Sequence, residues 1–324
     1  MGQLQRIIRA RTVVTNLDVC RPEERCAILQ TLVDMVCNLP PRHPHGWDVA
    51  SNLGWVAALV RGRNFIDHKL WELSPEERQL HACLHTYFGF TEHDWDPSRK
   101  TESLVYVYTM RHYKQENDYG PFLMDGSGRV NWEHLQAIHH VISLHVIPED
   151  WRNQAVTYTI YPLSMPYCQS TMPLGLDLDH ELDWAGIGGM WQCSFCFCDH
   201  RDLLFFNNYN TSDTETLHPE IFEDPDFVEV FRSINVRFRV TSTQQDLHHP
   251  SRPILKFIRW HFESGEQGQF IWSSEGVQIG CVRSSFGVLG AWTTVSHDRP
   301  DPVGPFWLRK MEDDDVVVVA VVDT

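Results

Sequence analysis

Val236-Arg237-Phe238-Arg239-Val240 places an apolar side chain at every second position, with an arginine between each pair. An extended chain sorts such a pattern into one apolar and one charged face, because successive side chains point to opposite sides of a strand. Val156, Tyr158 and Ile160 alternate with Thr157 and Thr159 in the same way. Further short apolar-aromatic runs follow at Met190–Cys198, Leu203–Phe206, Ile254–Trp260, Gln269–Trp272, Val277–Val282, Val288–Val295 and Pro305–Leu308. Gly, Pro, Asp and Ser separate them, and many short strands in series predict an antiparallel sandwich or barrel.

Before about residue 150 the period is 3.6 instead. Pro22 with Glu23 and Glu24 marks a helix start, and Leu29, Leu32, Val33 and Val36 recur at helical spacing. Leu39-Pro-Pro-Arg-His-Pro-His-Gly46 interrupts the chain, and a second helical stretch from about Asp48 carries Val49, Leu53, Val56 and Val60. Ser74-Pro-Glu-Glu77 joins an N-cap, a first-turn proline and a capping-box glutamate ahead of Leu80, Cys83, Leu84, Tyr87 and Phe88, with Gly89 to stop the helix. Another helix is expected over about 101–114. A last one starts near Asn131 and carries Leu135, Ile138, Val141 and Ile142. The fold class is therefore α+β. A mainly helical domain is expected over 1–150 and an antiparallel, barrel-like domain over 151–311. An acidic and valine-rich tail, 312–324, follows.

The 324 residues carry a formal charge of −16. A chain this acidic lacks the basic footprint of a nucleic-acid or anionic-membrane binder. Hydrophobic residues at 42% and charged residues at 22% are globular proportions. Arg6, Arg9 and Arg11 interrupt the only apolar pair near the N-terminus, so no secretory signal is read there. Val316–Val322 is too short to cross a bilayer, which takes about 20 residues. A soluble intracellular protein, cytoplasmic or nuclear, is expected. Its nine cysteines should then be reduced and the sequon at Asn210 unused.

The most conspicuous ligand pattern is Cys193, Cys196, Cys198 and His200. Zinc is the metal that such a set suits. On a straight strand, however, Cys196 and His200 lie roughly 13 Å apart, and Cys193 points the other way. Zinc bonds of about 2.0–2.3 Å cannot gather them without a bend or a further partner such as Cys168 or Cys281. Buried thiols in a barrel wall fit better, and no cofactor is expected. His81 and His85, four apart on the Ser74 helix, match a metal spacing but flank the apolar stripe on its solvent side, so a solvated face is expected. Asp125-Gly-Ser-Gly-Arg-Val-Asn131 imitates the middle of a calcium loop, but Leu123 and His134 fall where carboxylates are required. No nucleophile elbow, P-loop or dinucleotide fingerprint occurs, so no catalytic residue is assigned and an enzyme has no support at residue level.

Longer phrases carry a resemblance. Tyr106-Val-Tyr-Thr-Met-Arg111, Asp118-Tyr-Gly-Pro-Phe122, Asp125–His134, Gly175-Leu-Asp-Leu-Asp179, Trp191–Asn208 and Glu223–Arg232 resemble a family of fungal proteins labelled F-box or F-box-like. So do Ile271–Gly280, Gly287–Trp292 and Asp301–Leu308, and together these phrases span about residues 100–310. The resemblance implies a helical region followed by a small barrel. That barrel is similar to the one with which F-box adaptors present substrates to cullin-based ubiquitin ligases. The implied role is non-catalytic: a protein-binding module with a protein partner.

Two departures accompany the resemblance. The first 40 residues supply no F-box, the helical unit that binds a Skp-type adaptor, and Leu39-Pro40 sits at a helix end. The interval between the strands near Ile254 and Phe270 is also short, so one or two barrel strands are expected to be missing and the barrel incomplete. Trp272, Trp292 and Trp307 are candidate partner-binding residues on the barrel rim, although burial statistics for tryptophan favour packing in the barrel core. Two further readings stay open: a carrier of a small apolar ligand inside the barrel, and a zinc-stabilised structural protein.

Overall fold

The structure is a computed structural model. It describes residues 2–44, 46, 49–61, 65–69, 71–148, 162–173, 175–209, 216–245 and 272–311, and the backbone of 254–259. The alternation expected at Val156–Ile160 and the valine tail lie outside the described residues.

Among the described residues six α-helices precede the sheet: α1 (Gln3–Thr15), α2 (Arg25–Cys37), α3 (Ser51–Arg61), α4 (Pro75–Phe88), α5 (Pro97–Tyr108) and α6 (Trp132–Val146). Local chemistry sets their ends. The Ser74 hydroxyl accepts the Glu77 N–H and the Glu77 carboxylate accepts the Ser74 N–H, so the expected capping box closes α4. Gly89 ends that helix at φ 102°, where a Cβ would meet the Leu163 carbonyl at 2.9 Å, so this turn requires glycine. Asn131 caps α6 by accepting the His134 N–H. The helix expected over 101–114 instead starts at Pro97, where Asp96 accepts the Ser98 N–H, and ends at Tyr108. Val49 precedes α3 and is exposed, while Leu53, Val56 and Val60 are buried.

The strands are β1 (Gly189–Cys198), β2 (Glu229–Gln244), β3 (Ile254–Arg259), β4 (Trp272–Gln278), β5 (Val288–Thr294) and β6 (Gly304–Lys310). They form one antiparallel sheet in the order β3-β2-β1-β6-β5-β4. β1 joins two meanders, pairing Trp191 with Val236 on one side and with Lys310 on the other. The sheet curls into an incomplete barrel, with β3 and β4 as its edges, giving an α+β fold. Val236 and Phe238 are buried and Arg237 and Arg239 exposed, as their alternation predicts. Leu203–Phe206 is a correction. It belongs to a short helix, α7 (His200–Phe206), because Asp199 accepts the Arg201 N–H as its cap.

One hydrophobic core runs from the helices to one face of the sheet, joining Leu29, Leu84, Leu135, Ile138 and Ile142 to Cys196, Leu289, Ala291 and Trp307. The opposite, concave face carries its own aromatic clusters. Trp191, Val236 and Phe238 form one, and Phe195, Trp292 and Phe306 the other. A sheet buried on both faces needs more bulky residues than one with a solvated side, and this explains the aromatic density of β1 and β6.

Candidate functional site

The concave face holds a groove of about 370 Å³, bordered by Trp191, Phe238, Trp272, Val288, Phe306 and Leu308. Strand register builds it. Gly276 on β4 lies opposite Gly290 on β5, and the Phe306 ring fills the space that side chains would take there. A Cβ on Gly290 would come within 2.2 Å of the Glu275 carbonyl oxygen. Trp272 stacks on Trp292 with centroids 4.8 Å apart, and Phe195 meets Trp272 edge-on at 5.0 Å. Such rings favour offset or edge contact and give a stiff apolar wall. Ile234, 44% exposed, extends the apolar strip along β2 beyond Val236.

The three candidate tryptophans divide by face. Trp272 is half-buried in the groove. Trp292 lies behind it, buried, and donates its indole N–H to the Cys196 carbonyl at 3.0 Å. Trp307 sits on the opposite face, inside the shared core, and donates to the Phe286 carbonyl at 2.7 Å.

The four candidate metal ligands are likewise separated. Cys196 and Cys198 point into the helical core, while Cys193 faces the groove clusters. His200, at the start of α7, bonds the Pro300 carbonyl at 2.7 Å. Burial pushes the Cys198 thiol up to about 12 and Cys196 further, the Glu229 carboxylate adding to both. Such thiols stay protonated near neutral pH in the metal-free chain.

His85 corrects the expectation of a solvated face. It is 2% exposed, because α6 and the turn at Glu92–Trp95 cover that side of α4. Its Nε2 lies 3.3 Å from Asp94 Oδ2, and its Nδ1 lies 2.6 Å from the Gln136 amide. Arg99 reaches Asp67 at 2.6 Å and Asp94 at 3.2 Å. Asp67, His85 and Asp94 present ligand atoms near one another. The guanidinium already supplies the positive charge that these acids need. Burial acts to raise the Asp94 carboxyl, but His85, His140 and Arg99 outweigh it and hold it well below the usual carboxylate range.

Beside this cluster, Ser103 Oγ lies 2.8 Å from His140 Nδ1, and His140 Nε2 lies 2.8 Å from the Asp94 carbonyl. The carbonyl fixes the proton on Nε2, so the serine hydroxyl donates to Nδ1. A hydroxyl and a base thus meet at a cavity of about 250 Å³. Ser103 stands mid-helix on α5, where neighbouring backbone N–H groups are spent on the helix itself, so they cannot serve as an oxyanion hole. The pair acts as a clamp between α5 and α6. A second polar joint lies at the sheet, where Glu229 accepts from the Tyr108 hydroxyl at 2.5 Å and pairs with His145 at 2.7 Å.

Sequence reasoning missed both clusters because their members come from separate elements. The groove was legible only as alternation. No protein-family model, no curated protein and no solved structure matches this chain. Among the described residues no helix is long and apolar enough to cross a membrane.

Proposed function

We propose that the chain is a non-catalytic binding protein that seats an extended apolar segment of a protein partner in the concave groove. The observation that carries this reading is the groove itself: an aromatic trough of about 370 Å³ on the face of the sheet turned away from the helices. Among the described residues the sheet ends at β3 and β4, which are not paired with each other, and this leaves the trough open-sided there. A closed barrel suits a small molecule, whereas an open trough beside an edge strand suits a peptide that can also pair its backbone. Stacked Trp272 and Trp292 supply the rigid anchors from which interfaces draw most of their energy.

Under this proposal the finer role is substrate recognition in an F-box-type ubiquitin-ligase adaptor. The phrases between about residues 100 and 310 that resemble the F-box-like family support that role. Contact with a Skp-type adaptor would need a segment other than the first 40 residues.

Peptides selected from a random display library against the full chain test the groove. Ser274 is exposed, borders the groove and lies opposite Trp292. Ser274→Arg therefore fills the trough while leaving the core intact. Loss of binding of the selected apolar peptides by about tenfold or more is expected. Peptides indifferent to Ser274→Arg, or stabilisation by small hydrophobes alone, overturn the reading in favour of a carrier.

A further inference from the structure

A second and larger cavity, of about 670 Å³, lies on the other side of the sheet from the groove, among the loops after α5, α7 and β5. Three tight turns form its walls. The Asn117 side chain bonds the carbonyls of His112 at 2.6 Å and Gly120 at 3.1 Å, and accepts the Lys114 N–H at 2.9 Å. That lattice fixes the turn carrying Lys114 and Tyr119. The Asn207 side chain takes the Met110 N–H and donates to the Tyr108 carbonyl, which locks the second wall beside Tyr209. Asp301 accepts the Asp298 N–H at 2.7 Å and bonds the Thr294 hydroxyl, which shapes the turn carrying His297 and Arg299.

Five non-glycine residues among those described have positive φ; two of them, Tyr119 and His297, line the cavity, and two more, Asp118 and Asn208, sit in the turns beside it. Asp, Asn and His tolerate that region, but a tyrosine carries a steric cost there. The Tyr119 and His297 rings nonetheless meet in a parallel stack, centroids 3.6 Å apart and planes 7° apart. Backbone held away from its ordinary minima by surrounding bonds is a mark of functional loops.

The charges are as organised as the backbone. Arg111, Lys114 and Arg299 border the cavity of a chain whose net charge is −16. Lys114 and Arg299 make no ion pair among the described residues. The Arg299 guanidinium lies 5.3 Å over the Tyr209 ring, which orients it and leaves its N–H fork open. Of the two carboxylates at the cavity, Asp301 is committed to its own turn, and Asp298 stands at the mouth. Two uncommitted cations match a ligand carrying about two negative charges, which a phosphate monoester has near neutral pH. Tyr113, Tyr119 and Tyr209 line the same cavity and give it the aromatic surface that the organic part of such a ligand would meet.

We infer that this cavity binds a phosphate monoester, with Lys114 and Arg299 holding the phosphoryl group and the tyrosine walls its organic portion. The site is separate from the aromatic groove and stands or falls without it. Titration calorimetry of the full chain with phenyl phosphate at low salt tests it. Lys114→Met with Arg299→Gln should weaken binding about tenfold or more. Asp298→Asn, which removes the opposing charge, should tighten it severalfold. All three residues are exposed, so the variants should keep the melting temperature of the parent. The inference fails if the native chain gives no heat with phenyl phosphate at millimolar concentration. It also fails if the double variant binds as tightly as the native chain, or if Asp298→Asn leaves affinity unchanged.

Discussion

The Tyr108 hydroxyl, at the end of α5, donates to Glu229 at the start of β2 across 2.5 Å. The other oxygen of Glu229 meets His145 of α6 at 2.7 Å, and the His145 ring stacks on Phe231, two residues further along β2. Three elements distant in sequence thus share one carboxylate. Burial and Glu229 raise the Tyr108 phenol well above its ordinary value, so it remains a donor at every physiological pH. Glu229→Ala should cost about 2–4 kcal/mol in urea unfolding, because it leaves a fully buried hydroxyl without its acceptor. Glu229→Gln keeps an acceptor and should cost less. A loss below about 0.5 kcal/mol for the alanine variant would remove this joint from the account of how helices and sheet are held together.

Acid should unfold the protein through its buried histidines. His134 is 1% exposed and His139 2%, and burial lowers them to about 3 and about 4. Both stay neutral in the folded chain, whereas in the unfolded chain they take up protons near 6.5. Below that pH the unfolded state binds more protons, so stability falls with pH and is fully present only above 6.5. The slope for each histidine approaches about 1.4 kcal/mol per pH unit once the unfolded imidazole is fully protonated, so the pair removes about 2.4 kcal/mol between about pH 6 and 5. Urea midpoints across that range check the slope, and His134→Gln should flatten it. A flat profile would contradict the burial of these rings.

These histidines also show where reading the sequence stops. Their helix was legible from Leu135, Ile138, Val141 and Ile142, and its start from Asn131. Which element covers its polar side was not. The same holds for His85: the period of α4 gives one apolar stripe, yet every residue from Ala82 to Phe88 is buried, because neighbours pack on both sides. The pairing of Ser103 with His140 bridges 37 residues and has no local signature. Leu203–Phe206 is too short for apolar content to separate strand from helix, and the available signal was the Asp199 cap. Strand parity did survive: it placed Cys196 and Cys198 on one face and Cys193 on the other.

That parity predicts the metal content. With Cys193 facing the groove and His200 bonded to Pro300, one ion cannot reach the set. His145, Cys196 and Glu229 do bring ligand atoms near one another, but Glu229 is already shared between Tyr108 and His145, and the Cys196 thiol is held protonated. Elemental analysis of the purified chain should find less than about half a zinc ion per molecule, and chelators should leave the melting temperature unchanged. A full equivalent of zinc that is lost in Cys196→Ala would reverse this assignment.

Gly290 tests how the groove floor is built. Its added methyl would meet the Glu275 carbonyl at 2.2 Å and the Phe306 ring at 2.6 Å. β4 and β5 are hydrogen-bonded at this position, and Phe306 is packed against Trp292, so neither can retreat easily. Gly290→Ala should therefore cost about 1–3 kcal/mol, the usual penalty of overpacking. The damage should be local to β4 and β5, seen as faster amide exchange there than in α4 or α6. Unchanged exchange in β4 would mean that the strand tolerates displacement and that the glycine pair is incidental.

The tryptophans separate folding from binding. Trp307 belongs to the core shared with the helices, so Trp307→Ala should cost about 3–5 kcal/mol, partly through the lost bond to the Phe286 carbonyl. Trp272 is half-buried and backed by Trp292 and Phe195, so Trp272→Ala leaves a shallow surface instead of an enclosed void. Its cost should be about 1–2 kcal/mol, since only part of its surface was withdrawn from water. The order reverses for recognition. Trp272→Ala should abolish binding of groove-selected peptides while the chain stays folded, and the milder Trp307→Phe should leave that binding intact. Equal loss of peptide affinity in the two variants would show that recognition depends on the integrity of the whole sheet, and the groove would no longer be its seat.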